Sequence, residues 1–169
     1  MMCDEPCPKE LSRQSEHSPS LVKDEEDVLR LIFNPTHLDS KTGEISNAAF
    51  SKTELEENRL SVTRKECGSR DSVRQNITKI EKGGQKPKTL EKILSVKCCD
   101  IRAIDEETKM RAFCVIDDGT EENPAHAHIG FAATPQNVSV APNWKTSARG
   151  NLLRLFREKA FATVEEVFS

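Results

Sequence analysis

The sequence has no tyrosine, a single tryptophan and no apolar run long enough to cross a membrane. Its six cysteines include no Cys-x-x-Cys pair, which argues against a structural zinc knuckle. It also lacks a glycine-rich phosphate loop, since Gly83-Gly84 is typical of a helix end. Residues 1–8 are neither basic nor followed by an apolar stretch, so no secretory signal is predicted. These absences predict a cytoplasmic protein with no membrane contact and mostly reduced thiols.

Charge is distributed unevenly along the 169 residues. The formal net charge is -3, but residues 1–27 hold eight acidic and three basic side chains, and the remainder has a small excess of basic ones. The part of the chain after residue 27 is therefore close to neutral, which gives no electrostatic indication of nucleic-acid binding. Residues 1–26 have too little apolar surface to offset the entropy of ordering. We therefore predict a disordered acidic tail over 1–26 and a single domain over 27–169.

Hydrophobic periodicity predicts an α+β fold, with a small, mostly antiparallel sheet and two to three helices packed against it. The predicted strands are 28–33, 60–63 and 125–133, together with a hairpin formed by 98–104 and 110–116. The predicted helices are 71–82 with Ser69 as its cap, 89–94, 148–160, and a terminal turn capped by Thr163.

Two Asn-Pro-x-His tetrapeptides are the most informative motifs of the chain. The first ends in His37, after the first predicted strand, and the second ends in His126 and leads directly to His128. Side chains alternate between the two faces of a strand, so His126 and His128 share one face, about 6.5–7 Å apart. The apolar residues between and after them, Ala127, Ile129 and Phe131, would face the core.

One interpretation is a site for a divalent metal ion with His126, His128 and His37 as ligands. It requires that the first strand and the strand 125–133 are neighbours. A nearby carboxylate could complete the set, with four candidates: Asp117, Asp118, Glu121 and Glu122. An open coordination position would then support hydrolysis.

Two other interpretations of the same histidines need no cofactor. His126, His128 and His37 could act as catalytic base and acid in phosphoester cleavage, as small nucleases require. Alternatively, each tetrapeptide only closes a turn, because Asn side chains cap turns and Pro fixes the next φ angle.

The C-terminal segment suggests a different role, since its apolar side chains would suit contact with a partner. These candidate partner-binding residues are Leu152, Leu153, Phe156, Phe161 and Phe168. They would form an exposed apolar patch for another protein or for a second copy of the chain.

Two functional hypotheses follow. The first, favoured because no catalytic motif is complete, is a small accessory protein that acts through protein–protein interaction. The alternative is a histidine-dependent hydrolase or nuclease, with or without a metal ion. The position of His37 relative to His126 and His128 in the folded chain would discriminate between the metal site and separate turns.

Overall fold

The computed structural model describes residues 7–105, 109–134 and 139–169, which form six strands, six α-helices and one 3₁₀ turn. The strands are β1 Asp27–Asn34, β2 Leu60–Arg64, β3 Thr89–Lys97, β4 Phe113–Asp117, β5 His126–Phe131 and β6 Ala160–Phe161. The α-helices are α1 Pro8–Leu11, α2 Lys52–Glu56, α3 Arg70–Lys82, α4 Cys98–Ile101, α5 Trp144–Arg157 and α6 Val164–Val167, and the 3₁₀ turn is Asn47–Phe50.

All six strands join one antiparallel sheet in the order β4-β5-β2-β1-β3-β6. This confirms the predicted α+β class. The two longest helices, α3 and α5, pack on opposite faces of the sheet and bury separate clusters of apolar side chains. None of the helices in the described ranges is long and apolar enough to cross a membrane.

Helix α5 turns its apolar stripe towards the sheet. Phe156 is fully buried, and its ring centroid lies 5.2 Å from that of Phe50. The residues predicted to form an exposed partner surface are instead buried or half-buried in the two cores: Leu152, Leu153, Phe156, Phe161 and Phe168. The prediction of an exposed patch is therefore wrong, because amphipathic spacing alone does not say whether the covering surface belongs to the same chain.

Helix α3 packs on the other face, with Val73 and Ile77 buried against β1. Its start follows the predicted capping, since the Ser69 side chain accepts a hydrogen bond from the Ser72 N–H. The Thr163 side chain likewise caps α6. These local signals set the boundaries correctly because they depend only on neighbouring residues.

Two of the local predictions are wrong. Residues 89–94 belong to strand β3, which pairs with β1, and do not form a helix. Four consecutive residues of β3, Ile93–Val96, are buried, so both faces of this part of the strand are covered and its burial does not alternate. The predicted hairpin is reduced to a single antiparallel bridge between Ile104 and Arg111, because 98–101 is helical and β4 pairs with β5.

Residues 7–26, called the strap below, are packed against the sheet, so the prediction of disorder fails for them; residues 1–6 lie outside the described part. Two strap carboxylates are buried and paired with buried arginines. Glu10 lies 3.0 Å from the Arg102 Nε, and Glu26 lies 2.6 Å from the Arg64 Nη2. Pairing makes burial of these charges tolerable. The arginine partners are distant in sequence, so the composition of the strap could not indicate that it is ordered.

A disulfide joins Cys7 at the start of the strap to Cys114 in β4. The two residues are 107 positions apart. The prediction of mostly reduced thiols therefore does not hold for this pair, whereas Cys67 and Cys98 remain thiols. The bridge fixes the strap to the sheet edge that is formed by β4.

Candidate metal centre

Strand β5 presents His126 and His128 on the sheet face opposite to the α5 core. Ala127, which lies between them, is fully buried on the other face. In the antiparallel ladder His128 lies opposite Ser61 and His126 lies opposite Thr63. Both imidazoles therefore have small side chains as their neighbours on β2, whereas on the β4 side His128 lies opposite Ile116.

Asp118 follows β4 and brings a carboxylate to both imidazoles. Its Oδ2 lies 3.2 Å from the His128 Nδ1 and 3.5 Å from the His126 Nδ1. The Asp118 N–H donates to the His126 carbonyl oxygen at 3.2 Å. Since β4 and β5 are paired up to Asp117 and Ala127, the end of the ladder holds Asp118 beside the histidines.

The three side chains form a compact group that solvent can reach. One ligand atom from each residue lies within 4.8 Å of the other two. The two rings meet edge to face, with centroids 4.5 Å apart. The side chains of His126 and His128 are 23% and 16% exposed, and that of Asp118 is 52% exposed. An ion could therefore enter from solvent without opening the fold.

The electrostatic surroundings keep His128 neutral. Burial lowers the pKa of His128 to about 4; the neighbouring His126 acts in the same direction and the Asp118 carboxylate opposes it. At neutral pH the imidazole therefore has a free lone pair. A neutral imidazole is the form that binds metal ions.

His37 lies outside this group. Its Nδ1 accepts a hydrogen bond from the Phe33 N–H at 3.0 Å, so one ring nitrogen is engaged by the backbone. Burial lowers the pKa of His37 to about 4, helped by the positive charges of Arg30 and Lys88. His37 and His126 line the same cavity of about 430 Å³. The fold thus brings together two of the three predicted histidines and uses the third in a turn.

Of the four candidate carboxylates, Asp118 alone joins the group. Asp117 is 1% exposed and lies 3.4 Å from the buried Arg64 guanidinium. Glu122 forms a surface ion pair with Lys79. Glu121 is exposed. The sequence could limit the candidate carboxylates to the short stretch 117–122. The choice among them depends on the pairing of β4 with β5, which sets where each side chain lies.

The donor set of two imidazoles and one carboxylate suits Zn²⁺, Fe²⁺ or Mn²⁺. Three protein ligands leave coordination positions for water or substrate. Such an arrangement can bind an ion and activate a water molecule at the same time. The residues present therefore fit a metal centre with catalytic capacity.

Space for a substrate adjoins His126. Two neighbouring cavities, of about 430 and 480 Å³, lie between α3 and the sheet, and His126 lines both. Asn76 and Ile80 of α3 also line both cavities. A ligand of small-molecule size could thus lie against the candidate centre without displacing a helix.

Hydrogen bonds from the strap hold the loop that carries Asp118. The sequence did not predict these contacts. The Ser15 N–H donates to the Asp117 Oδ2 at 2.8 Å, and the Ser15 hydroxyl donates to the Gly119 carbonyl oxygen at 2.5 Å. The Ser18 hydroxyl also donates to Asp117. Residues on both sides of Asp118 are therefore held by the strap. Serines in a polar segment carry no signal for such distant contacts.

A second group of potential ligand atoms, Cys7, Glu10 and Cys114, has its donors already engaged. The two sulfurs form the disulfide, and Glu10 pairs with Arg102. The case for an ion is therefore stronger at Asp118, His126 and His128.

Comparison with known proteins gives no independent support for a metal site, so its assignment depends on the geometry described above. No protein-family model, no curated protein and no solved structure matches the chain.

Proposed function

We propose that this chain is a metal-dependent hydrolase in which His126, His128 and Asp118 hold one divalent ion. The observation that carries the proposal is the convergence of their ligand atoms within 4.8 Å on a solvent-accessible face. Two nitrogen donors and one oxygen donor also hold zinc in hydrolytic enzymes, where a water molecule takes the open position.

The chemistry follows from the ion and its surroundings. A metal ion lowers the pKa of a bound water to about 7 and so supplies hydroxide at neutral pH. The carboxylate of Asp118 reduces the net positive charge of the centre, and its hydrogen-bonded loop limits movement. The cavities beside His126 leave room for the part of a substrate that extends beyond the reacting group.

The competing hypothesis of a protein-interaction module stays a prediction. The surface on which it relied is turned into the two cores, since Leu152, Phe156 and their neighbours are buried. The metal centre, by contrast, rests on three side chains that the fold brings together. The hydrolase is therefore the function that the geometry supports best.

The first test is the metal content of the full chain, purified without chelator and without a polyhistidine tag. We expect close to one equivalent of zinc, iron or manganese by elemental analysis. Replacing His128 with Ala should weaken binding by roughly 100-fold or more, because loss of outer-shell partners alone costs about 10–100-fold. Titration with Co²⁺, followed by visible absorption, would measure the affinity.

The matched control is His17→Ala, which removes the one histidine that belongs to neither tetrapeptide element. His17 lies on the strap beside Glu16 and outside the candidate centre. This variant should bind metal as the unaltered chain does. A wild-type chain that binds neither zinc, iron, manganese nor cobalt would contradict the proposed function, and so would unchanged binding by His128→Ala.

A further inference from the structure

We propose that the hydrolase acts on phosphate esters, and that Arg13 and Arg59 bind the phosphoryl group beside His128. This inference rests on the proposed function, since it assigns a substrate class to the same centre. It is carried by the position of two arginines on opposite sides of β5 and by the charge that accumulates there.

The path of the strap places Arg13 over the histidine face. Upstream, the Lys9 Nζ donates to the Phe131 carbonyl oxygen at 2.7 Å, at the far end of β5. Downstream, Ser15 is bonded to residues on both sides of Asp118. The strap therefore crosses the stretch between the end of β5 and the Asp118 loop, and Arg13 lies between these two attachments.

Arg59 approaches from the β2 side. It comes directly before Leu60, which pairs with Ile129, and two positions before Ser61, which pairs with His128. Residues two apart along a strand share a face, so continuing this alternation puts Arg59 on the face of His128. Glycine at position 130 leaves room for the Asn58 side chain, whose Oδ1 accepts a hydrogen bond from the Lys9 Nζ at 3.2 Å. Arg59 is exposed and its carboxylate partner is the adjacent Glu57.

Positive charge at this place is only partly neutralised. The Arg13 side chain is exposed and has no hydrogen-bond or ion-pair partner within the described ranges. Burial lowers the pKa of Lys9, and the charges of Lys145 and Arg13 lower it further. A bound anion would relieve this repulsion.

Phosphate is the anion that this arrangement suits. Guanidinium groups bind phosphate oxygens through paired N–H donors, and a metal ion stabilises the charge that grows on the same group during transfer. With an ion held by His126, His128 and Asp118, hydroxide derived from water would form a new bond to phosphorus as the ester P–O bond breaks. Its electron pair stays on the alcohol oxygen, which takes a proton from solvent. The products are inorganic phosphate and the alcohol.

The test uses the metal-loaded full chain, inorganic phosphate as a ligand and p-nitrophenyl phosphate as a substrate. We expect Arg13→Gln to weaken phosphate binding in calorimetry by about ten-fold, as loss of one charge-assisted contact implies. The KM for p-nitrophenyl phosphate should rise by a similar factor. Arg59→Gln should have a smaller effect, because its exposed partner Glu57 already screens it.

The control is Arg154→Gln, an exposed arginine on α5 at the other face of the sheet. It should leave phosphate affinity and KM within about two-fold, since distant surface charges are screened by salt. All three variants should keep the metal content of the unaltered chain, which shows that the centre is intact. Bis(p-nitrophenyl) phosphate would distinguish monoesters from diesters.

The outcomes separate this inference from the proposed function. Absence of metal would overturn both. A metal-loaded chain that does not bind phosphate, binds acetate equally well, or binds phosphate equally in Arg13→Gln would overturn the phosphate assignment alone. Hydrolysis of p-nitrophenyl acetate without hydrolysis of either phosphate ester would do the same and leave the hydrolase standing.

Discussion

The two Asn-Pro-x-His elements have the same residue pattern and different fates. The first follows a strand, and there both the backbone N–H and the ring of His37 bond back to Phe33. The second precedes a strand. Its turn is closed by the backbone alone, where the His126 N–H donates to the Asn123 carbonyl oxygen at 3.1 Å. The tetrapeptide closes a turn in both places, but only in the second does the imidazole point away from its own turn, with the His126 Nδ1 3.3 Å from the Asp118 carbonyl oxygen.

The additional chemistry of the second element comes from outside the tetrapeptide. His128 lies two residues further along β5 and so shares its face, and Asp118 arrives from the neighbouring strand. Among the residues that the structure describes, His37 belongs to no comparable group of histidines and carboxylates. A turn motif thus becomes a candidate centre only where strand alternation and strand pairing add ligands.

The largest predicted effect tests what the two elements still share, a depressed histidine pKa. Both His37 and His128 have a folded-state pKa of about 4 against an ordinary value of 6.5, with burial as the main cause. The unfolded chain therefore binds protons first as the pH falls from 6.5 to 4. Stability of the metal-free protein should fall across this window, by at most about 3 kcal/mol for each histidine.

Urea unfolding of chelator-treated protein between pH 7.5 and 4 would measure this loss. The carboxylates also titrate near the lower end, so the result is the difference between the wild type and the variants His37→Gln and His128→Gln. Each variant should have a shallower pH dependence. Saturating zinc should protect the wild type and not His128→Gln. Equal slopes for all three proteins would show that neither histidine is held neutral by the fold.

The second prediction is that the strap orders the second Asn-Pro-x-His element more than the first. Cys7→Ser removes a cross-link over 107 positions, and chain entropy gives a stabilisation of about 2–5 kcal/mol for such a bridge. Ser15 and Ser18 of the strap hold Asp117 and Gly119, whereas no described strap contact reaches the turn at His37. Hydrogen exchange should therefore rise in the Asp118 loop more than in the first element.

Cys67→Ser is the control for this experiment, because Cys67 is a thiol outside the bridge. It should change neither stability nor exchange to a comparable extent. Cobalt affinity of Cys7→Ser should fall by about ten-fold, as expected when support around a ligand is lost. Uniform exchange over both elements would mean that the strap stabilises the whole sheet and has no special relation to the centre.

The sequence was sufficient where structure depends on near neighbours. Period-two alternation placed His126 and His128 on one face of β5, and Ser69 marked the start of α3. It was insufficient where structure depends on partners far along the chain. The sequence of the strap predicts disorder because nothing in it shows that Glu26 and Glu10 pair with Arg64 and Arg102 in the folded chain.

A different limit applies to the candidate centre. Two of its three ligands follow from alternation on one strand, and the third requires knowledge that β4 pairs with β5. The sequence predicted a different partner for β4, so Asp118 could be proposed only as one of four carboxylates. The strand that pairs with β4 is the next one along the chain, but the loop 118–125 between them is longer than the two- to five-residue turns that mark a hairpin in a sequence. The role of Arg13 is further from prediction still, because it depends on where the strap lies.

The smallest effects come from exchanging the roles of the two turn histidines. His37→Ala should lower the free energy of unfolding by about 1–3 kcal/mol, because the Phe33 N–H loses its side-chain acceptor. It should leave cobalt affinity unchanged.

His126→Ala should do the opposite. Its ring is not needed to close the turn, so the free energy of unfolding should shift by less than about 1 kcal/mol, while cobalt affinity falls sharply. A loss of metal binding in His37→Ala would join the two elements in one site, and a large loss of stability in His126→Ala would make both of them structural turns. Measured together, urea midpoints and cobalt titrations of these two variants decide whether two tetrapeptides of the same pattern have separate functions.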